Sequence, residues 1–377
     1  MNTRVSDVPP AFLVPSRMTT ALPPRRLDVA VIGPGRVGRA LLGQLRASQS
    51  RLLHEQHLDL RLRVVIDSRH MWLDSDDEQL NARDGAQTWR PAALAELATY
   101  LAASPHALVV DCSASEAVVA HYADWLAAGI HVVTPNKLAA SGALDRWRHV
   151  RAAALHGDAC WHYETTVGAG LPVVKTLREL VDTGDDLVAV EGMFSGTLAW
   201  LFHHYDGGKP FSALLREAVA LGYAEPDPRH DLDGLDVARK LVILAREAGL
   251  TLSLEDVDVD SLVPPALRQV DREIFMCELE QLDAPMARQH ARAASRQGVL
   301  RHVGRLDADG RASVRLEVVP RTHVLANARL TDNMIVFRTR RYNENPLVVQ
   351  GPGAGPEVTA AGVFADILRV AARALPA

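Results

Sequence analysis

The chain has 377 residues, 48% of them hydrophobic and 23% charged, with a formal net charge of −5. This length and composition suit a globular protein with a large core and two domains. With Lys and Arg scattered among acids, a general nucleic-acid binder is excluded, and no apolar run approaches the ~20 residues that span a bilayer. The three cysteines, Cys112, Cys160 and Cys277, are odd in number and far apart. They suggest neither a disulfide framework nor a zinc site, and a reducing, cytoplasmic setting is expected.

Residues 1–26 are rich in Pro, Ser, Thr and Arg and lack the layout of a secretory signal. They read as a disordered leader, with Met18 a second candidate start. Residues 27–32 (LDVAVI) form a short β-type run, followed at once by GPGRVG and a helical stretch from Arg39 to Leu45. Gly33, Gly35 and Gly38 thus sit between strand and helix, where a dinucleotide fingerprint is read. The first glycine makes the turn, the second admits the pyrophosphate and the third lets helix and strand pack. The helix N-terminus faces the phosphates with its positive end. A second strand, residues 62–66, ends at Asp67-Ser68-Arg69. An acid there grips the ribose hydroxyls of NAD and an arginine accepts the 2′-phosphate of NADP, so these residues leave both cofactors open.

Residues 70–88 are polar and read as a loop. Helix (92–101), strand (107–111), helix (115–128) and strand (130–133) follow in turn. This alternation predicts an α/β fold: a Rossmann-type parallel sheet whose ligands gather at the strand ends, where Ser113, Ala114 and Lys137 lie. A helix near 144–155 leads to Thr165-Thr166-Val167-Gly168-Ala169-Gly170-Leu171-Pro172. The glycines would let carbonyls turn outward, either to hold a cation or merely as a packing joint. Residues 188–191 read as a strand and 211–221 as a helix. His203-His204 with Asp206 has metal-ligand residue types, but adjacent histidines point to different sides of a helix.

Residues 222–240 read GYAEPDPRHDLDGLDVARK. Pro226 and Pro228 make the first half a rigid loop, Asp231 suits an N-cap, and the apolar spacing after it predicts a helix. Asp236 and Lys240 stand one turn apart on that helix. A carboxylate keeps a lysine charged while burial opposes this, and such a lysine can hand a proton to a developing alkoxide. An ordinary surface ion pair has the same spacing. Residues 253–265 and 268–298 are polar and helix-prone, expected on the outside of the second domain. Strands follow at 299–306, 313–319, 333–338 and 347–350, with 307–310 as a hairpin turn. Residues 351–355 read as a loop and 358–374 as a closing helix. Helices followed by hairpins predict a second, α+β domain for substrate.

GPGRVG, VVTPNK, YETTVGAGLPV, GMFSGTLAWLF, GYAEPDPRHDLDGLDVARKLVILAREAG and GPGAGPEVTAAGVFADIL together resemble the homoserine dehydrogenase family, over residues 27–377. The closest likeness is to the dehydrogenase half of bifunctional aspartokinase–homoserine dehydrogenases. The resemblance implies reversible NAD(P)H-dependent reduction of L-aspartate 4-semialdehyde to L-homoserine, in threonine, isoleucine and methionine biosynthesis. It implies Lys240 as acid/base, with Asp236 beside it and Lys137 as second active-site lysine. Glu225 and Asp231 would hold the substrate's amino group and hydroxyl. Gly33, Gly35, Val37, Gly38, Asp67, Arg69, Ser113, Lys137, Gly353 and Gly355 would contact NADP or NAD. Glu164, Val167, Ala169 and Leu171 would bind a monovalent cation, Na or K, through backbone carbonyls. Asp67 stands where the bifunctional relatives tend to carry Asn, so cofactor preference stays open.

The same resemblance implies an NAD(P)-binding domain over 27–163 and a substrate-binding and dimerisation domain over 164–350. It implies a return to the nucleotide domain over 351–377, and a homodimer acting on a small amino acid with neither nucleic-acid nor membrane partners. With no regulatory tail apparent, threonine feedback is not expected. The rival expectation is a non-catalytic, cofactor-binding partner of a separate aspartokinase.

Overall fold

Short runs rich in Val, Leu and Ile form the first sheet in a computed structural model that describes residues 24–73 and 90–375. Its strands are β1 (Arg25–Ile32), β2 (Leu58–Ile66), β3 (His70–Leu73), β4 (Arg90–Pro91), β5 (Ala107–Asp111), β6 (His131–Val133) and β7 (Trp161–His162). They lie in the order β4-β3-β2-β1-β5-β6-β7. The pairs from β2 to β7 are parallel, and β3 and β4 add an antiparallel edge. Both faces are covered, so β1 and β5 are buried on both sides. Ala30, Ile32 and Val109 face one core with Tyr122 and Trp125. The intervening Val29, Val31 and Val110 face another. The helix Pro356–Ala374 closes that second face with Ala360, Val363, Ile367 and Val370. Each such Val or Ile side chain contributes roughly 1.5–3 kcal/mol on full burial.

The second sheet comprises β8 (Leu187–Met193), β9 (Asp258–Val259), β10 (Gly298–Asp307), β11 (Ala312–Pro320), β12 (Asp332–Thr339) and β13 (Leu347–Pro352). Its order is β13-β12-β8-β10-β11-β9, antiparallel except for the β9–β11 pair. The helix Leu235–Glu247 lies between the two sheets, and its Val237, Leu241, Ile243 and Leu244 share one core with Ile32, Val109, Val314 and Phe337. The α/β class holds: a parallel nucleotide-type sheet beside a second sheet with its own helices.

Several local expectations change. Residues 70–73 pair as a strand with β2, because Met71 is fully buried and Trp72 and Leu73 are half-buried. The rest of that expected loop, through residue 88, and the leader up to residue 23 lie outside the described residues. The helix expected over 115–128 breaks into Glu116–Val119 and Tyr122–Ala127, the first capped by the Ser115 side chain. Asp231 does not cap the Leu235–Glu247 helix. That cap is Gly234 at φ +79°, a conformation that favours glycine, and Asp231 lies inside a separate turn of helix, Arg229–Leu232. The polar stretch after residue 265 is not merely an outer layer. Its Leu267, Phe275, Leu279, Leu282 and Met286 build a separate core with Trp200, Phe202 and Phe211. The loop expected at residue 351 starts later, since β13 runs through Pro352.

Candidate active site

The turn after β1 gives each of its three glycines a distinct reason to be glycine. Gly33 has φ +79°, and a Cβ there would lie 2.9 Å from the Ser113 nitrogen. A Cβ on Gly38 would lie 2.4 Å from the Gly33 carbonyl oxygen, so helix and strand pack only without one. Gly35 has nothing within 4 Å, which leaves open space at the N-terminus of the Arg36–Gln56 helix. That terminus has no side-chain cap and no acid in its first turn. Its free N–H groups and positive end suit a pyrophosphate. β1 lies between β2 and β5, which the chain reaches in opposite directions, so the crevice beyond their carboxyl ends is the topological switch point. Asp67 ends β2, and its Oδ1 accepts from the backbone N–H groups of Arg69 and His70, both at 2.7 Å. Those two N–H groups hold its pKa below the ordinary value.

Lys137 is placed by a buried acid. Asp111 ends β5, fully buried, and its Oδ2 accepts from the Tyr122 hydroxyl at 2.5 Å and from Asn136 Nδ2 at 3.1 Å. The Thr134 hydroxyl donates to the Asp111 carbonyl at 2.8 Å and accepts from the Asn136 N–H at the same distance. Burial pushes the Asp111 pKa up, and hydrogen bonds from Ser113, Tyr122 and Asn136 oppose it. This knot fixes the segment Thr134 to Asn136 and delivers Lys137 to the start of the short Leu138–Ser141 helix.

The Pro-rich loop reaches the same place from the other side. Asp231 Oδ2 accepts from the Glu225 N–H at 2.9 Å, closing the loop on itself. Burial raises the Asp231 pKa, the Glu225 N–H and the Thr197 hydroxyl oppose this, and the Glu225 and Asp236 carboxylates add to it. On the helix that follows, Lys240 Nζ meets Asp236 Oδ2 at 2.7 Å, and Lys137 Nζ meets Asp236 Oδ1 at 3.3 Å. Lys240 also donates to the Phe194 carbonyl at 2.6 Å. It is only 7% exposed, which removes the surface-pair reading. Burial lowers the Lys240 pKa, Asp236 opposes this and Lys137 reinforces it. Asp236 keeps its charge: burial works against it, but Lys240 and then Lys137 hold its pKa well below the ordinary value.

The loop of Glu164, Val167, Ala169 and Leu171 packs beneath the cleft. Gly168 (φ +79°) and Ala169 (φ +52°) are both left-handed, which costs a non-glycine residue strain. Glu164 does not point its carboxylate outward. Its two oxygens accept from the Val174 and Lys175 N–H groups, each at 2.8 Å, at the N-terminus of the helix Val173–Asp182. Burial and the nearby Asp366 carboxylate raise its pKa to about 7. The carbonyls of Val167 and Ala169 accept no hydrogen bond among the described residues. Thr165 Oγ1 beside them is buried without a partner among the described residues. Two open carbonyls and an orphaned hydroxyl fit a small cation.

A cleft of about 780 Å³ gathers these parts between the two sheets. Val37, Ser113, Lys137, Ala169, Glu225, Asp231, Asp236, Lys240, Gly353 and Gly355 all line it. That volume lies within the range of small-molecule sites. Asp67 and Arg69 are not on its wall; they stand at the end of β2. Ser195, His230, Arg239 and Thr359 also line the cleft and were not among the site residues expected from the sequence; Ser195 caps the Gly196–His204 helix, as expected for it or Thr197. Asn333 was missed as well: buried on β12, it donates to the Phe194 carbonyl at 3.1 Å, the acceptor Lys240 uses. A Cβ on Gly353 would lie 2.0 Å from Asn333 Cγ, so this glycine is required by close approach. Only an Asn opening the apolar run Met334–Phe337 could have signalled it.

A family model described as homoserine dehydrogenase matches residues 172–368, and one described as homoserine dehydrogenase, NAD binding domain, matches residues 33–164. A bifunctional aspartokinase/homoserine dehydrogenase of Zea mays is 45% identical over 91% of this chain. The chain spans 38% of that relative's length. A homoserine dehydrogenase of Emericella nidulans is 40% identical, over 92% of this chain and 98% of its own. A crystal structure of a Candida auris protein of unknown function superimposes with a TM-score of 0.86 at 33% identity, covering 93% of this chain and 100% of that one. A fold, a cleft and a sequence in such agreement leave one conclusion: the chain belongs to the homoserine dehydrogenase family.

Proposed function

We propose that the chain is an NAD(P)-dependent oxidoreductase that interconverts L-aspartate 4-semialdehyde and L-homoserine. The observation that carries this is a buried lysine, Lys240, held by Asp236 beside a second lysine, Lys137, in the cleft that the glycine turn opens onto. A bound nicotinamide supplies or accepts the hydride. Lys240 then donates its proton to the oxygen that becomes an alkoxide, and takes it back in the reverse direction. A positioned acid of this kind contributes ~10²–10⁴-fold. Lys137 adds positive charge where negative charge develops in the water-poor cleft. Glu225 and Asp231 suit the ammonium and hydroxyl of the amino acid. Burial raises the pKa of Asp231, which favours its acting as a hydrogen-bond partner of a hydroxyl.

Gly33, Gly35, Val37, Gly38 and Ser113 would hold the pyrophosphate and its neighbours, and Gly353 and Gly355 would close over the nicotinamide end. Asp67 and Arg69 would meet the adenosine ribose. The carbonyls of Val167, Ala169, Glu164 and Leu171 would hold Na or K, and no chemical step needs the ion. The reading divides the chain into a nucleotide part over 27–163, a substrate part over 164–350 and a closing segment over 351–377. A homodimer serving threonine, isoleucine and methionine synthesis rests on the family likeness alone, and a cytoplasmic setting rests on the three scattered cysteines. Among the described residues no helix is long and apolar enough to cross a membrane. The non-catalytic alternative has no use for two lysines converging on one carboxylate in the cleft, and it is set aside.

The test is homoserine-dependent reduction of NAD⁺ and NADP⁺ at alkaline pH, where release of a proton favours oxidation. Turnover with either supports the reading. A protein that binds NADPH and turns over homoserine with neither cofactor would overturn it.

A further inference from the structure

The far end of the Leu235–Glu247 helix carries a fully buried arginine, Arg246, that the chemistry above does not use. Its guanidinium donates to three backbone carbonyls on two segments: Nη1 to Ala140 at 2.8 Å, Nη2 to Gly142 at 2.8 Å and Nε to Leu252 at 3.1 Å. Among the described residues no carboxylate pairs with it. The Trp147 ring lies against it, 5.8 Å from Cζ to ring centroid. A buried cation is costly, and it persists only where its donors are all met. Here two of the three acceptors, Ala140 and Gly142, are carbonyls that end the Leu138–Ser141 helix, which are otherwise orphaned and carry that helix's negative end.

Lys137 opens that same short helix. Arg246 therefore bolts the element that presents Lys137 onto the helix that presents Asp236 and Lys240. The next residue, Glu247, adds a second anchor: it accepts from Tyr163 and, at 2.9 Å, from Arg178. The helix is thereby held against sliding by two successive residues. We propose that Arg246 is a positioning residue, which sets the distance between Lys137 and the Asp236–Lys240 pair across the joint between the two sheets. This rests on the reading of Lys137 and Lys240 as the acid/base machinery.

Four groups bear on Lys240: Asp236 on its own helix, Lys137 from the Leu138–Ser141 helix, Asp231 from the Pro-rich loop and the neutral Phe194 carbonyl. Loosening Lys137 lets the Lys240 pKa rise. The experiment compares Arg246→Met, Lys137→Met and the double variant, with Lys240→Met as control, by the pH dependence of kcat for homoserine oxidation and by NADPH titration. The expected result is that Arg246→Met binds NADPH normally and loses ~10–100-fold in kcat, the cost of misplacing a group by about an ångström. The pH at which oxidation rises moves upward, as in Lys137→Met, and adding Arg246→Met to Lys137→Met costs little more. An equal fold-loss in both backgrounds, or an unmoved pH profile, overturns the proposal. Should Arg246→Met fail to fold, Arg246→Lys replaces it: reduced kcat with the upward shift supports the proposal, and an unshifted profile overturns it. Near-normal turnover by Lys240→Met would instead overturn the acid/base reading on which it rests.

Discussion

Lys137 and Asp236 come from opposite halves of the chain, and their charged ends meet at 3.3 Å inside the cleft. The contact has an electrostatic consequence for a third residue. Asp236 is already bound to Lys240 at 2.7 Å, so two ammonium groups share one carboxylate. Burial depresses the Lys240 pKa most, and Lys137 depresses it further, against the pull of Asp236. Removing the Lys137 charge must therefore raise it. Reduction of the semialdehyde needs the protonated lysine and is lost as pH rises through its pKa; oxidation of homoserine is gained there. Lys137→Met should shift both transitions to higher pH. Measured kcat profiles in the two directions would contradict this by staying put or moving down.

Lys240→Ala should leave the fold and NAD(P)H binding intact while kcat falls by ~10²–10⁴-fold, the usual contribution of a positioned proton donor. The same change frees Asp236 from its nearer partner, and Lys137 remains to neutralise it. For this reason we expect little loss of stability from an unpaired acid. Stopped-flow turnover and a thermal melt separate the two effects. A variant that melts far lower and fails to bind cofactor would mean that Lys240 serves the fold first.

The three glycines after β1 make unequal predictions. Gly38→Ala puts a Cβ 2.4 Å from the Gly33 carbonyl oxygen, where backbone must move, so stability should drop by about 1–3 kcal/mol along with cofactor affinity. Gly35→Ala meets nothing within 4 Å and should melt like the parent while binding NAD(P)H more weakly. Denaturant unfolding alongside cofactor titration tells them apart. Equal melting for both would dissolve the distinction between a packing glycine and a phosphate-approach glycine.

The longer strands were legible because their apolar runs are short, dense and bounded by Gly, Pro or Asp, a signal that survives without tertiary information, whereas β3 and β9 lack such runs and read as loop and as helix-prone. The lysine helix was legible for the same reason, but its Asp236–Lys240 spacing fits a surface ion pair equally well, and the acid/base role came from the family resemblance. The start of that helix was not legible. Asp231 has the right side chain for a cap, but a left-handed Gly234 ends the preceding turn first, and the sequence does not rank the two. The buried core formed by Phe275, Leu279 and Met286 was hidden by the charged residues between them. Asn333 was hidden differently: the pairing of β12 with the distant β8 brings it to the Phe194 carbonyl, and no local spacing encodes that.

Cofactor preference can be decided at the end of β2. Asp67 Oδ1 is committed to the Arg69 and His70 N–H groups, which hold the carboxylate ionised. Its second oxygen is left for the ribose of NAD, and an ionised acid there repels the 2′-phosphate of NADP. The Arg69 side chain leaves the same turn and would attract that phosphate. The two residues thus pull in opposite directions, and each substitution should move selectivity one way. Asp67→Asn keeps the turn's acceptor and removes the repulsion, so kcat/KM with NADP⁺ should rise relative to NAD⁺. Arg69→Ala should lower it, leaving NAD⁺ largely unchanged. The ratio of the two kcat/KM values in each variant is the measurement. Ratios that move together, or not at all, would place the adenosine ribose elsewhere.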